Sequence, residues 1–97
     1  MRSFKYKKKP VEIEAVQMIE AEWFLLDDNP DWFKDARNHG HIKYDTIEKN
    51  FIVKTLEDGN NQVNHIASWD DWIILGVKGE LYPIKQAIFE MTYEKVE

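Results

Sequence analysis

The chain contains no cysteine. That excludes a disulfide framework, a thiolate nucleophile and any zinc site built on cysteine, and it suits a cytoplasm. Basic residues are scarce, with 13 Lys and Arg against 18 Asp and Glu and a formal net charge of -5. General nucleic-acid affinity needs a basic surface, so it is not expected here. No apolar run approaches the roughly 20 residues of a membrane-spanning helix. The basic first residues are followed by no apolar signal core. Glycine and proline are also rare, four and three. No Gly-rich phosphate loop exists, because Gly76 and Gly79 fall in a strand–turn–strand pattern and not at a helix start.

The motifs of catalysis are missing as well. Ser3 and Ser68 stand beside no base in a nucleophile motif. Asp27-Asp28 and Asp70-Asp71 are paired carboxylates, but adjacent side chains point in different directions, so neither pair is an acid–base couple by sequence. Asp70 is expected to cap a turn, with Asp71 either capping or pairing with a lysine. His39-Gly40-His41 would need further donors, such as His65 or Asp45, to hold a metal. The glycine between them reads as a helix stop instead. These observations argue against an enzyme, a cofactor and a metal site.

Ninety-seven residues make one domain, with 1–10 expected as a flexible lead-in. Apolar content is 43%, ordinary for a globular chain. Lys5, Lys7, Lys8 and Lys9 form the one basic cluster, either a solvated arm or an arm that contacts phosphate. Val11 to Ile19 alternates, with Val11, Ile13 and Ala15 on the apolar side and Glu12 and Glu14 on the other, until Val16 and Met18 make the second face apolar too. This predicts a strand. Glu20 to Leu26 reads as a short helix. A second helix is predicted from Pro30 to Asn38, with Asn29 as N-cap, Pro30 in the first helical position and Gly40 as the stop. Trp32, Phe33 and Ala36 supply its buried face. With Trp23, Phe24 and Leu25 they either plug one face of a sheet or line a partner surface.

His41 to Ile47 and Phe51 to Leu56 read as a hairpin joined at Glu48-Lys49-Asn50. Asp58-Gly59-Asn60-Asn61 is a turn, and Gln62 to Ala67 is a polar strand near a sheet edge. The densest apolar run, Trp72 to Val77, reads as a strand buried on both faces. Lys78-Gly79 is a two-residue turn signal, and Glu80 to Pro83 returns, with Pro83 ending the strand or lying on an edge. Ile84, Ala87, Ile88 and Met91 recur at helical spacing. A last strand is expected over Thr92 to Val96. The fold class is therefore α+β: a curved antiparallel sheet of five or six strands, one helix near 30–38 and a short C-terminal helical turn. A more closed small barrel is the alternative.

Gly76-Val77-Lys78-Gly79-Glu80-Leu81-Tyr82-Pro83, then Lys85 and Ile88-Phe89-Glu90-Met91-Thr92-Tyr93-Glu94, resembles a group of small phage and prophage proteins, found mostly in phages of Gram-positive bacteria. Lys9 to Gln17 is similar to their N-terminal part. The middle of the chain is not matched. Where that group tends to have Pro-Gly before the Asp that opens the central strand, Trp69-Asp70 stands here, which bears on the turn geometry. Where it often has Cys after Tyr-Pro, this chain has Ile84, which removes any thiol role. The resemblance implies a phage origin and no activity.

The expected function is that of a non-catalytic phage accessory protein that binds and modulates a host factor, with counter-defence as one role, in the cytoplasm of the infected bacterium. The contrasting expectations are a protein that sequesters a nucleotide-like signal, and a structural or assembly protein of the virion. In the sequestering reading Trp69, Trp72 and Tyr82 stack a planar base, with Lys78 or Lys85 near a phosphate; the alternative is that the rings are core, which is favoured for Trp72. Trp69, Asp70, Lys78, Tyr82 and Lys85 are thus the candidate partner- or ligand-binding residues. Trp69 sits in a connection, so it either folds back over the strand starting at Trp72 or faces a partner; the second is favoured. Self-association is expected from the edge strand Gln62 to Ala67 and from the 13% aromatic content.

Overall fold

A computed structural model describes residues 3–5, 7, 9–19, 28–57 and 61–96. All of Glu20 to Leu26, where a short helix was expected, and Asp58 to Asn60 of the expected turn lie outside the described residues.

The fold is α+β: the described residues form six strands, in two antiparallel sheets of three, and two helices. It is not a closed barrel. The elements are β1 (Glu14–Gln17), α1 (Asp31–Asn38), β2 (Ile42–Asp45), β3 (Asn50–Glu57), β4 (Asn61–Ala67), β5 (Trp72–Leu75), β6 (Leu81–Ile84) and α2 (Gln86–Thr92). One sheet has the order β1-β5-β6 and the other β2-β3-β4. The five or six antiparallel strands expected from the sequence are present as six, arranged in two groups of three. The two sheets meet where β6 packs against β3 and β4. There the Thr55 hydroxyl of β3 donates to the buried Leu81 carbonyl of β6.

Helix α1 starts one residue later than expected. Pro30 is the cap residue and no side chain caps the helix. The Pro30 carbonyl accepts from Phe33 and Lys34, and Asn29, just before it, is buried. The C-terminal end agrees with the sequence. Gly40 has φ +75°, its N–H donates to Arg37 and the His41 N–H to Ala36. This is the Schellman arrangement, which glycine makes without steric cost. Phe33 and Ala36 are buried and Trp32 packs beside them.

The core joins Val16 and Met18, Phe33 and Ala36, Ile42, Phe51 and Val53, Ala67, Ile73 and Leu81. It corrects the phase of the first strand. Val16 and Met18 face the interior, whereas Val11 is exposed and Ile13 and Ala15 are half-buried. The alternation was legible; which face is covered was not.

The hairpins are shorter than their sequence patterns suggested. Strand β2 ends at Asp45, whose carboxylate accepts the Ile47 and Glu48 N–H groups. That closes a loop over residues 46–49 and leaves Ile47 exposed at its tip. The turn between β5 and β6 has three residues, not two. The Gly76 N–H donates to the Glu80 carbonyl, the Gly79 N–H to the Gly76 carbonyl, and Gly79 has φ +84°. A turn followed by a left-handed residue is the usual three-residue hairpin loop. Strand β6 runs on through Pro83, at an edge of its sheet, where a missing N–H costs no ladder bond.

No last strand forms. Residues 93–96 have no regular structure, and α2 extends through Thr92. Among the described residues, no helix is long and apolar enough to cross a membrane.

Candidate binding surface

Strand register divides the β1-β5-β6 sheet into two faces. Val16, Ile73 and Leu81 look into the core. Ala15, Ile74 and Tyr82 lie across from one another on the opposite face, as do Gln17, Trp72 and Ile84. Ile74 is nonetheless fully buried, because this outer face is roofed as well. The roof is α2 and the chain that follows it. Trp72 and Phe89 stack with ring centroids 4.1 Å apart and planes 9° apart, and Phe89 stacks in turn on Tyr93 at 5.1 Å. Phe89 and Tyr93 are four residues apart and so share one face of a helical turn.

The helical spacing does not mark the face by which α2 docks. Ala87, Ile88 and Met91 carry the helical spacing, but all three are exposed. A two-turn helix has room for one large contact, and the ring stack on Trp72 takes it. Tyr82 also belongs to this face. Burial is the main cause that raises its phenol above the ordinary value of 10.0, with Tyr93, Glu80 and a hydrogen bond to Tyr93 adding to it.

Beside the roof a groove of about 840 Å³ remains. One wall is residues 10–15, the other is residues 92–96, and Trp72 and Phe89 lie in its floor. Val11 and Val96 line it while being exposed to solvent. The charged groups on its rim are Glu12, Glu94 and Lys95.

The five residues singled out from the sequence do not meet in one place. Trp69 lies on the core side. Its ring packs edge-on against Phe51 at 4.9 Å and tilts against Tyr44 at 5.8 Å. It thus folds back, but over β2 and β3 and not over the strand that starts at Trp72. Trp69 and the Trp72–Tyr82 pair are therefore on opposite sides of the β1-β5-β6 sheet and cannot stack one base together. Lys78 is at the tip of the β5–β6 hairpin. Asp70 and Lys85 lie at the other end of those strands, since Trp72 pairs with Ile84.

At that end the important carboxylate is Asp71. It is buried, accepts the Ser68 N–H at 2.8 Å and pairs with Lys85 at 3.2 Å. Both readings open in the sequence, capping and pairing, hold at once. Asp70 contributes through its backbone. Its N–H donates to the Met18 carbonyl and its own carbonyl accepts from the Gln17 amide, while the Asp71 carbonyl accepts from the Met18 N–H. Asp70 has φ +71°, and the Asp71 N–H donates to the Ser68 carbonyl. That is the third position of a type II turn, where Pro-Gly is a favoured filling. Trp69-Asp70 therefore keeps the turn geometry that Pro-Gly would make. The turn ties the end of β1 to the start of β5.

Among the described residues, no three His, Asp or Glu side chains converge as metal ligands. The rings of His39 and His41 lie 6.1 Å apart, and His39 Nδ1 is 2.7 Å from the Asp35 carbonyl. The groove residues Val11, Ile13, Phe89, Tyr93 and Val96 were missed as a set. Val11 and Ile13 read as core, and the C-terminal residues read as a strand. The one signal for the groove was that both chain ends carry apolar residues beyond what one short strand buries. No protein-family description matches this chain, and neither a curated protein nor a solved structure matches it.

Proposed function

We propose that this chain is a non-catalytic phage accessory protein that binds and modulates a host protein, and that the groove on the outer face of the β1-β5-β6 sheet is where it binds. The observation that carries the binding role is the groove itself: open on one side, floored by Trp72 and Phe89, and walled by Val11 and Val96. Concave apolar surfaces with an aromatic floor are where partners and ligands dock. The phage origin and the host partner rest on the resemblance at Gly76 to Pro83 and Lys9 to Gln17, and a host protein as partner puts the site of action in the cytoplasm of the infected bacterium.

Two features favour a protein segment over a nucleotide. The rings already stack on one another at 4.1 and 5.1 Å, which uses faces a base would need. The rim carries Glu12 and Glu94 against Lys95 alone, a poor setting for phosphate.

The test is capture from host lysate by wild type, Val96→Asp and Ile66→Asp, with small molecules that co-purify analysed by mass spectrometry. Ile66 is exposed on the β2-β3-β4 sheet, so its variant is the control. A host protein retained by wild type and Ile66→Asp, and reduced at least tenfold by Val96→Asp, is the expected result. Equal capture by all three, or a stoichiometric nucleotide on the purified protein, would overturn the reading. Recovery of the chain in purified virions would support an assembly role instead.

A further inference from the structure

The charge of this chain is divided unevenly along its length. Arg2, Lys5, Lys7, Lys8 and Lys9 supply five of the 13 basic residues, and none of the 18 acidic residues falls before Pro10. Residues 10–97 therefore carry eight basic against 18 acidic groups, a net charge of -10 facing an arm of +5. Aromatic and basic residues alternate in the arm: Phe4 and Tyr6 are interleaved with Lys5 and Lys7. In an extended segment that pattern places Phe4 and Tyr6 on one side and Lys5, Lys7 and Lys9 on the other.

We propose that the groove holds the N-terminal arm of a second copy of this chain, and that two copies exchange arms reciprocally. Three observations fit together. The groove offers an aromatic and aliphatic floor with Glu12 and Glu94 on its rim, which complements an arm of alternating aromatic and lysine residues. Phe4 is 68% exposed, so it is not seated in the groove of its own chain. Pro10 lines the groove, so the arm departs from the groove's mouth. A two-fold axis near Pro10 sets each arm against its partner's groove, as an isologous interface requires. Seven residues at about 3.3 Å each reach ~23 Å, enough to cross into the adjoining copy. Phe4 would lie over the Trp72–Phe89 floor, with Lys5, Lys7 and Lys9 directed to the acidic rim and the surrounding negative body. The inference uses the groove of the preceding reading but does not need the host partner. If both hold, a host segment must displace the arm, and the arm regulates access to the groove.

The test is a charge exchange measured by analytical ultracentrifugation on full-length chains. The wild type is expected to be a dimer at tens of micromolar in low salt, with association weakened about tenfold or more in 0.5 M NaCl, where screening is within a few ångströms. Lys5→Glu/Lys7→Glu/Lys9→Glu and Glu12→Lys/Glu94→Lys are each expected to be monomeric alone. Mixed in equal amounts they should form a heterodimer, because both arm–groove pairs are then complementary. Phe4→Ala should weaken wild-type association at least fivefold. A second measurement is independent of charge. The chain has no cysteine, so a nitroxide on Ser3→Cys labels one site, and it should broaden resonances of Trp72 and Val96 in an unlabelled copy. A monomeric wild type, dimers that persist in both charge variants, or no intermolecular broadening at the groove would overturn the proposal. Loss of host capture with the dimer intact would overturn only the host-binding reading.

Discussion

The two sheets of this protein have the same number of strands but different surroundings, and their sequences differ accordingly. In the β2-β3-β4 sheet one face meets the core. Phe51, Val53 and Thr55 are buried while Ile52 and Lys54 between them are half-exposed. This is the alternation of an antiparallel sheet with one wet face. In the β1-β5-β6 sheet the central strand reads Trp72-Ile73-Ile74-Leu75, and both isoleucines are fully buried. It lacks alternation because the core covers one face and α2 the other. A continuous apolar run therefore reported two-sided burial correctly, but it could not say that the second cover would be a seven-residue helix held largely by one ring stack.

The largest expected effects test that contrast directly. Ile73→Ala and Ile74→Ala should each cost about 2–5 kcal/mol, as buried isoleucine truncations do. Ile66→Ala, on the open face of the other sheet, should cost less than about 0.5 kcal/mol. Urea melts of the three variants give these values. If Ile74→Ala behaves like Ile66→Ala, α2 is not a cover, and the two sheets are alike.

Trp69 comes next. It seals the seam between the sheets by packing on Phe51 and Tyr44, so Trp69→Ala should lose about 3 kcal/mol, the low end for an aromatic truncation because the ring is half-buried. A melting temperature within about two degrees of wild type would show that the seam does not depend on it.

Asp71 ties the same seam to α2. Removing it leaves the Ser68 N–H without its acceptor and Lys85 without its partner, so Asp71→Ala should cost about 1–3 kcal/mol. Lys85→Ala should cost less than about 1 kcal/mol, because its side chain is 65% exposed. Equal losses in both variants, read from denaturant midpoints, would mean that the ion pair and not the cap holds the turn.

A smaller effect of opposite sign is expected next door. Asp70 is in the left-handed region at φ +71°, which glycine adopts without strain, so Asp70→Gly should stabilise by about 0.5–1 kcal/mol. Destabilisation would show that the Asp70 side chain contributes more than the structure indicates.

The smallest effect concerns the roof over the outer face. The Tyr82 phenol is raised above 10.0 in the folded state, chiefly by burial. A folded value above the unfolded one means that the folded state holds the proton more tightly. Its contribution to stability is complete below pH 10 and is lost as pH rises through the folded value. Tyr82→Phe should therefore flatten the alkaline fall in stability seen in the wild type, with no change at pH 7 in the pH slope. A fall of unchanged steepness in the variant would assign it to other groups.

Much of the fold was legible because it is decided locally. The α1 helix and its stop at Gly40, the polar edge strand β4, the Asp70-Asp71 turn and the two-sided burial of β5 each follow from propensity, glycine geometry and period within a few residues. The site was not legible in the same way. Trp69, Lys78 and Tyr82 are near in sequence but fall on the core side, a hairpin tip and the outer face, because a four-residue strand with a turn at each end scatters its neighbours.

What the amino-acid sequence determined alone is the α+β class and the order of β1, α1 and β2 to β6, since backbone conformation answers to nearest neighbours, caps and turns; the strand expected over Thr92 to Val96 did not form. What only the tertiary structure decided is which faces are covered. Val16 and Met18 point inward and Val11 outward, six strands divide into two sheets at the Thr55–Leu81 contact, α2 docks through Phe89 and not through Ile88, and the two chain ends leave a groove between them. Those choices depend on burial against residues that are distant in the chain, and burial is a property of the whole packed molecule.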